Sequence, residues 1–120
     1  MKKLLCLLLG ALVSTSSMAA DWVTVAKGSI GQTDVDVSSL TKESNGNLTY
    51  WTKDTYFHEP RKRVTLRETS CAKKQTRYLS MINYRNGLVY DVDHTISDWK
   101  YAIPDTISEN IINSVCSNSF

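Results

Sequence analysis

Few residues of this 120-residue chain have the types and spacing for chemistry. His58 and His94 are its two histidines, and Cys6, Cys71 and Cys116 its three cysteines. Neither histidine stands at metal-ligand spacing from a cysteine or from the other histidine, so no metal site is expected. Asp91-Val92-Asp93-His94, with Asp98 beyond it, has the composition of a cation site or an acid–base pair. Strand alternation gives a plainer reading, in which Asp91 and Asp93 face solvent and Val92 points inward. Gly28-Ser29-Ile30-Gly31 has the spacing of neither a nucleophile elbow nor a phosphate loop and reads as a turn. No catalytic residue and no cofactor is expected.

What remains is cysteine chemistry, and the compartment decides it. Lys2 and Lys3 precede an apolar run from Leu4 to Val13, and Ser17-Met18-Ala19 offers small residues where a signal peptidase reads. The run is too short for a membrane span, which needs about 20 residues. Residues 1–19 are therefore expected to be a cleaved secretory leader, and residues 20–120 a single domain. Leucines surround Cys6, so it does not read as a lipoprotein cysteine. Once the leader is gone, Cys71 and Cys116 are left to pair, and an exported chain favours the disulfide. Closing a loop of about 46 residues stabilises a fold by roughly 4 kcal/mol in the chain-entropy model.

Cys116 sits at the end of the segment that organises the chain, Trp99 to Cys116. Pro104 ends an aromatic strand, Thr106-x-x-Glu109 has capping-box spacing, and Ile107, Ile111 and Val115 fall on one helical face with Ile112 beside them. A helix over about Asp105 to Ser117 is expected. The rest reads as short strands. These are Trp22–Val25, a half-buried strand in which Val35 and Val37 alternate with Asp34 and Asp36, Leu48–Lys53, Arg61–Cys71, and a strand with Tyr78, Ser80, Ile82 and Tyr84 on one face. Leu88, Tyr90 and Val92 then face inward on the return. Asn45-Gly46 and Asn86-Gly87 are tight turns between them. The class is α+β: a single antiparallel sheet of about six strands, one C-terminal helix packed on it, and one disulfide joining the two.

The second half resembles the surface-adhesin protein E family of Gram-negative bacteria. The resemblance rests on Cys71-x-x-Lys74, Arg77, Tyr84-x-x-Gly87, Trp99, Ile103-Pro104-x-Thr106 with Glu109, and Val115-Cys116; Trp22, Val35-Asp36 and Trp51 fit more loosely. It implies a small exported domain with an antiparallel sheet and a C-terminal helix held by one disulfide. It also implies a protein ligand from host extracellular matrix or plasma, and it allows a homodimer, since some members associate as dimers. No lipobox is present, so periplasm, cell surface or medium is expected without a lipid anchor.

Charge points to a surface. Without Lys2 and Lys3 the 14 basic residues become 12, equal to the 12 acidic ones. From Lys53 to Arg85 nine basic residues stand against three acidic; from Asn86 onward Lys100 alone stands against five acidic. Ligand contact is therefore expected on the basic segment, at Lys53, Arg61, Lys62, Arg63, Lys73, Lys74 and Arg77. Nucleic acid is not an expected partner of an exported chain, and the aromatic set Trp51, Tyr56, Trp99 and Tyr101 reads as core or edge cover. The reading is an exported binding module. The alternatives are an envelope accessory protein acting on another bacterial protein and, last, a small hydrolase.

Overall fold

The computed structural model describes residues 19–120; except for Ala19, the expected leader and Cys6 lie outside them. Antiparallel strands form one sheet in the order β1(Trp22–Lys27), β2(Gly31–Asp36), β4(Leu48–Tyr56), β5(Arg61–Ser70), β6(Gln75–Arg85), β7(Leu88–Asp93). Two short strands extend the expected six: β3(Thr41–Lys42) pairs with β4 and β8(Lys100–Tyr101) with β6. A 3-10 turn, Val37–Ser39, joins β2 to β3.

Turn chemistry sets the meander. Gly28 N–H donates to the Gly31 carbonyl across the β1–β2 turn (2.9 Å). A Cβ on Gly31 would lie 2.4 Å from the Thr55 carbonyl oxygen, so only glycine lets β2 lie against β4 there. Asn86-Gly87 turns β6 into β7 with both φ positive (52° and 78°), the geometry that two-residue hairpins favour.

The single α-helix of the described residues, α1(Ile107–Ser117), forms as its capping signal predicts. Thr106 Oγ1 accepts from the Glu109 amide (3.3 Å), while Glu109 Oε1 accepts from Asp105 N–H (3.4 Å), one residue before the cap. Asn118 ends it in the left-handed region (φ 53°), donating its N–H to the Ser114 carbonyl. Ile111, Ile112 and Val115 are buried, and Ile111 and Val115 pack with Val35 and Tyr50 into the core, flanked by Val25, Leu40 and Leu48. Ile107 departs from the expected apolar face: it is 54% exposed, because the first helical turn borders an open cleft instead of the core.

Cys71, in the β5–β6 turn, is bonded to Cys116 in the last helical turn, with a Cα separation of 5.7 Å. The expected pairing is found, and it ties the helix to the sheet. Beneath the helix the strands are joined by hydroxyls. Tyr50 OH meets Thr69 Oγ1 (2.6 Å), Thr69 meets Thr76 (3.1 Å), and Thr76 Oγ1 donates to the Glu68 carbonyl (3.1 Å). Burial pushes the Tyr50 phenol above its ordinary pKa against the opposing hydrogen bond to Thr69, so the belt is neutral at physiological pH.

Three strand expectations are corrected. The segment around Asp34 and Asp36 is buried on both faces, and Val37 has already left the strand. Asp34 accepts from Thr24 (2.6 Å) and Gln32 (3.0 Å), and Asp36 from Asp21 N–H (2.9 Å) and Ser38 (2.6 Å), so both carboxylates are satisfied without solvent. In β6 a bulge opposite Leu66/Arg67 pairs Tyr78 with Arg67 but Ser80 with Leu66. The extra residue turns Tyr78 to the opposite face from Ser80, Ile82 and Tyr84. Finally, all of β7 is exposed, Leu88, Tyr90 and Val92 included, because it is an outer strand and the helix packs at the other side of the sheet.

Cys116→Ser is expected to cost roughly 2 to 5 kcal/mol, read from urea unfolding of the oxidised protein; an unchanged midpoint would contradict this. Gly31→Ala is expected to cost about 1 to 3 kcal/mol by forcing β2 away from β4, and the same measurement checks it.

Candidate binding face

Register sorts the strand residues onto two faces. Thr52, Thr65 and Met81 are opposite one another on the helix side, as are Tyr50, Arg67 and Tyr78. The alternate positions form the other face: Trp51, Leu66 and Ser80 in one row, and Lys53, Val64, Ile82 and Val92 in the next. No helix covers this second face among the described residues. A sheet face left to water is ordinarily polar, yet Trp51, Val64, Leu66 and Ile82 lie half-buried at its centre.

Cations edge this open face, and aromatic rings hold them. Lys53 Nζ sits 4.5 Å from the centroid of the Trp22 ring, and the Arg77 guanidinium 4.6 Å from that of Trp99. Cations over indole faces are attracted by the ring quadrupole while keeping outward N–H groups for other partners. Arg77 Nη2 also pairs with Glu68 Oε1 (2.7 Å), and Asn47 Nδ2 donates to Glu68 Oε2 (2.9 Å). Burial works against the charge of Glu68, but these donors outweigh it and hold the carboxyl below its usual range. His94 Nδ1 meets Ser80 Oγ (2.9 Å) along the same side of β6.

The seven basic residues singled out in the sequence do not form one patch. Lys53, Lys62 and Arg77 belong to the open face, where Lys62 borders a hollow of about 260 Å³ with Tyr84 and Asn86. Arg61 and Arg63 point to the helix side. Arg61 pairs with Glu59 and covers the Tyr56 ring (4.2 Å), and Arg63 Nε donates to Asn83 Oδ1 (2.9 Å). Lys73 and Lys74 are exposed in the β5–β6 turn. Arg61 is the first residue of the ten-residue β5 and they lie beyond its last, roughly 30 Å away at the usual strand rise. Arg67, counted in the same basic segment, is buried on the helix side, stacked on Tyr78 (4.9 Å) and bonded to Thr52 Oγ1 (2.8 Å).

Asp91, Asp93 and His94 are likewise engaged separately. Asp91 accepts from Asn83 (3.3 Å), and Asp93 accepts from Thr95 N–H (2.8 Å), which holds its carboxyl below the usual range. Among the described residues, no group of three or more histidine, cysteine or acidic side chains is placed to hold a metal ion. Sequence reasoning missed Trp22, Val64, Leu66 and Ile82 as a surface. Their alternation was visible, but nothing in it says which face the helix takes.

A long meander with one face roofed at one side by a disulfide-held helix, and the opposite face open, apolar and edged by cations, defines a small α+β domain built on a single antiparallel sheet. The chain belongs to the surface-adhesin protein E family, whose family model matches residues 22–117, from the first residue of β1 to the last of α1. The resemblance read from the second half thus extends through the first. No curated protein and no solved structure matches the chain. No helix of the described residues is long and apolar enough to cross a membrane.

The depressed Glu68 carboxyl has a pH signature. A group whose folded pKa lies below its unfolded value of about 4.3 contributes stability above that value and loses it as pH falls through the folded pKa. Glu68→Gln should therefore melt below the wild type at pH 7, and the difference should close as the pH drops below about 4. A melting-temperature gap independent of pH would contradict the assignment.

Proposed function

We propose that this protein is an exported binding module, acting by adhesion and not by catalysis, that contacts a host extracellular-matrix or plasma protein through its open sheet face. The observation that carries the reading is the half-buried apolar strip Trp51, Val64, Leu66 and Ile82 on an uncovered face, edged by Lys53, Lys62 and Arg77. Interfaces gain most from aromatic and apolar anchors that a polar rim shields from water. The rim cations steer an acidic partner and set orientation. Family membership supports a surface adhesin. Secretory cleavage close to Ala19 and display at the surface or in the medium belong to the same proposal.

The test is binding of the purified protein to a panel of immobilised host matrix and plasma proteins at low and high salt. The double variant Lys53→Glu/Lys62→Glu should bind about tenfold more weakly than the wild type, with less salt dependence, since exposed charges are screened beyond about 8 Å at physiological ionic strength. Lys73→Glu/Lys74→Glu, at the far end of the sheet, should bind as the wild type does. A loss confined to the second variant, or to neither, would overturn the open-face reading. Thermal melts of both variants establish that the fold is kept.

A further inference from the structure

The first turn of α1 and the β1–β2 hairpin enclose a cleft of about 290 Å³ on the helix side, away from the open face. Its apolar walls include Ala26, Ile30, Tyr56 and Ile107. Ile30 is 73% exposed at the tip of a turn, where small polar residues and glycine are the ordinary choice. Ile107 occupies a position whose helical spacing belongs to the core, yet it too is left in the open. Two large aliphatic side chains at the mouth of one cleft form the kind of concave apolar site that ligands use.

The charge in the cleft is acidic. Asp54 and Asp105 both line it. Thr33 Oγ1 donates to one oxygen of Asp54 (2.6 Å), leaving the other for a ligand. The cross-strand neighbour of Asp54 is Arg63, which would neutralise it, but Arg63 is turned to Asn83 (2.9 Å) and makes no ion pair with Asp54. Lys27, a cation on the same wall, has its ammonium 5.9 Å from the centroid of the Phe57 ring and pairs with neither carboxylate. The positive end of the helix is offset locally, since Thr106 caps it and Glu109 lies in its first turn.

We propose that this cleft receives an arginine or lysine side chain of a protein partner, with its aliphatic stem against Ile30 and Ile107 and its cationic head on Asp54. Long basic side chains combine an apolar stem with a charged tip, and the cleft offers the complement of each in the same order, isoleucines at the mouth and a carboxylate on its wall. Recognition here is of opposite charge to that of the open face and stands independently of it.

The experiment is a methyl NMR titration of the purified protein with the capped peptides Gly-Arg-Gly, Gly-Lys-Gly, Gly-norleucine-Gly and Gly-Glu-Gly. The arginine and lysine peptides should shift the Ile30 and Ile107 methyl signals saturably while leaving Ile82, on the open face, unmoved. The norleucine peptide, which keeps the stem and lacks the charge, should bind about tenfold more weakly, and the glutamate peptide should not bind. Asp54→Asn keeps an acceptor for Thr33 and should abolish the preference for arginine over norleucine. Equal binding of arginine and norleucine, a preference that survives Asp54→Asn, shifts confined to Ile82, or no saturable shift with any peptide would each overturn the proposal.

Discussion

The covalent link between Cys71 and Cys116 is the constraint on which the arrangement of this domain depends. α1 has 11 residues, and isolated helices shorter than about 12 to 15 residues are marginal in water. It buries three large apolar side chains, Ile111, Ile112 and Val115. So short a helix holds its place because its last turn is bonded to the β5–β6 turn while its apolar stripe rests on Val35 and Tyr50. The bond fixes where along the sheet the helix lies. It thereby decides which strands are roofed, which remain bare, and where the cleft by the β1–β2 hairpin opens.

With one α-helix among the described residues, much of the sheet is covered by its own side chains. On the helix side, beyond the roof, cations lie over tyrosines: Arg61 on Tyr56, Arg67 and Lys100 on Tyr78, Arg85 on Tyr90. Arg67 reaches over the sheet centre to bond Thr52, and Thr52 and Thr65 are both fully enclosed. Arg67 carries the cost of this solution. Its Nη1 is buried without a hydrogen-bond partner, and such a group depends on ring stacking and on the Thr52 bond for compensation. On the open side the cations lie over tryptophans instead, which keeps charge at the rim and leaves the aliphatic centre uncovered.

Local signals were legible wherever the chemistry is local. The turn at Asn86-Gly87 needs positive φ, the Thr106 cap needs a hydroxyl beside the first helical turn, and Cys71 and Cys116 are the two cysteines left outside the expected leader; each could be read without tertiary information. Tyr78 shows where such reading stops. Alternation assigns it to the face of Ser80 and Ile82, and a one-residue bulge reverses it, with no residue in β6 to announce the change. Asp34 and Asp36 fail for a related reason. A carboxylate in an alternating strand reads as solvent-facing until its neighbours supply donors, and here Thr24 donates from across the strand pair, Gln32 from two residues back on the same strand, and Ser38 from the following turn.

The candidate site divides in the same way. The sequence by itself determined the class of the fold, the disulfide, the helix with its cap, the hairpin turns and the presence of a strongly basic segment, because these follow from residue type and short-range spacing. The tertiary structure alone decided that the basic segment is split between two faces and two ends of the sheet, since a ten-residue strand carries its ends roughly 30 Å apart and alternate residues to opposite sides. It also decided that Trp51, Val64, Leu66 and Ile82 form a surface and not a core, and that Ile107 and Asp54 meet across a cleft. Both outcomes rest on where one helix is fastened, which is a contact between residues 45 positions apart and has no signature in the strands it leaves uncovered.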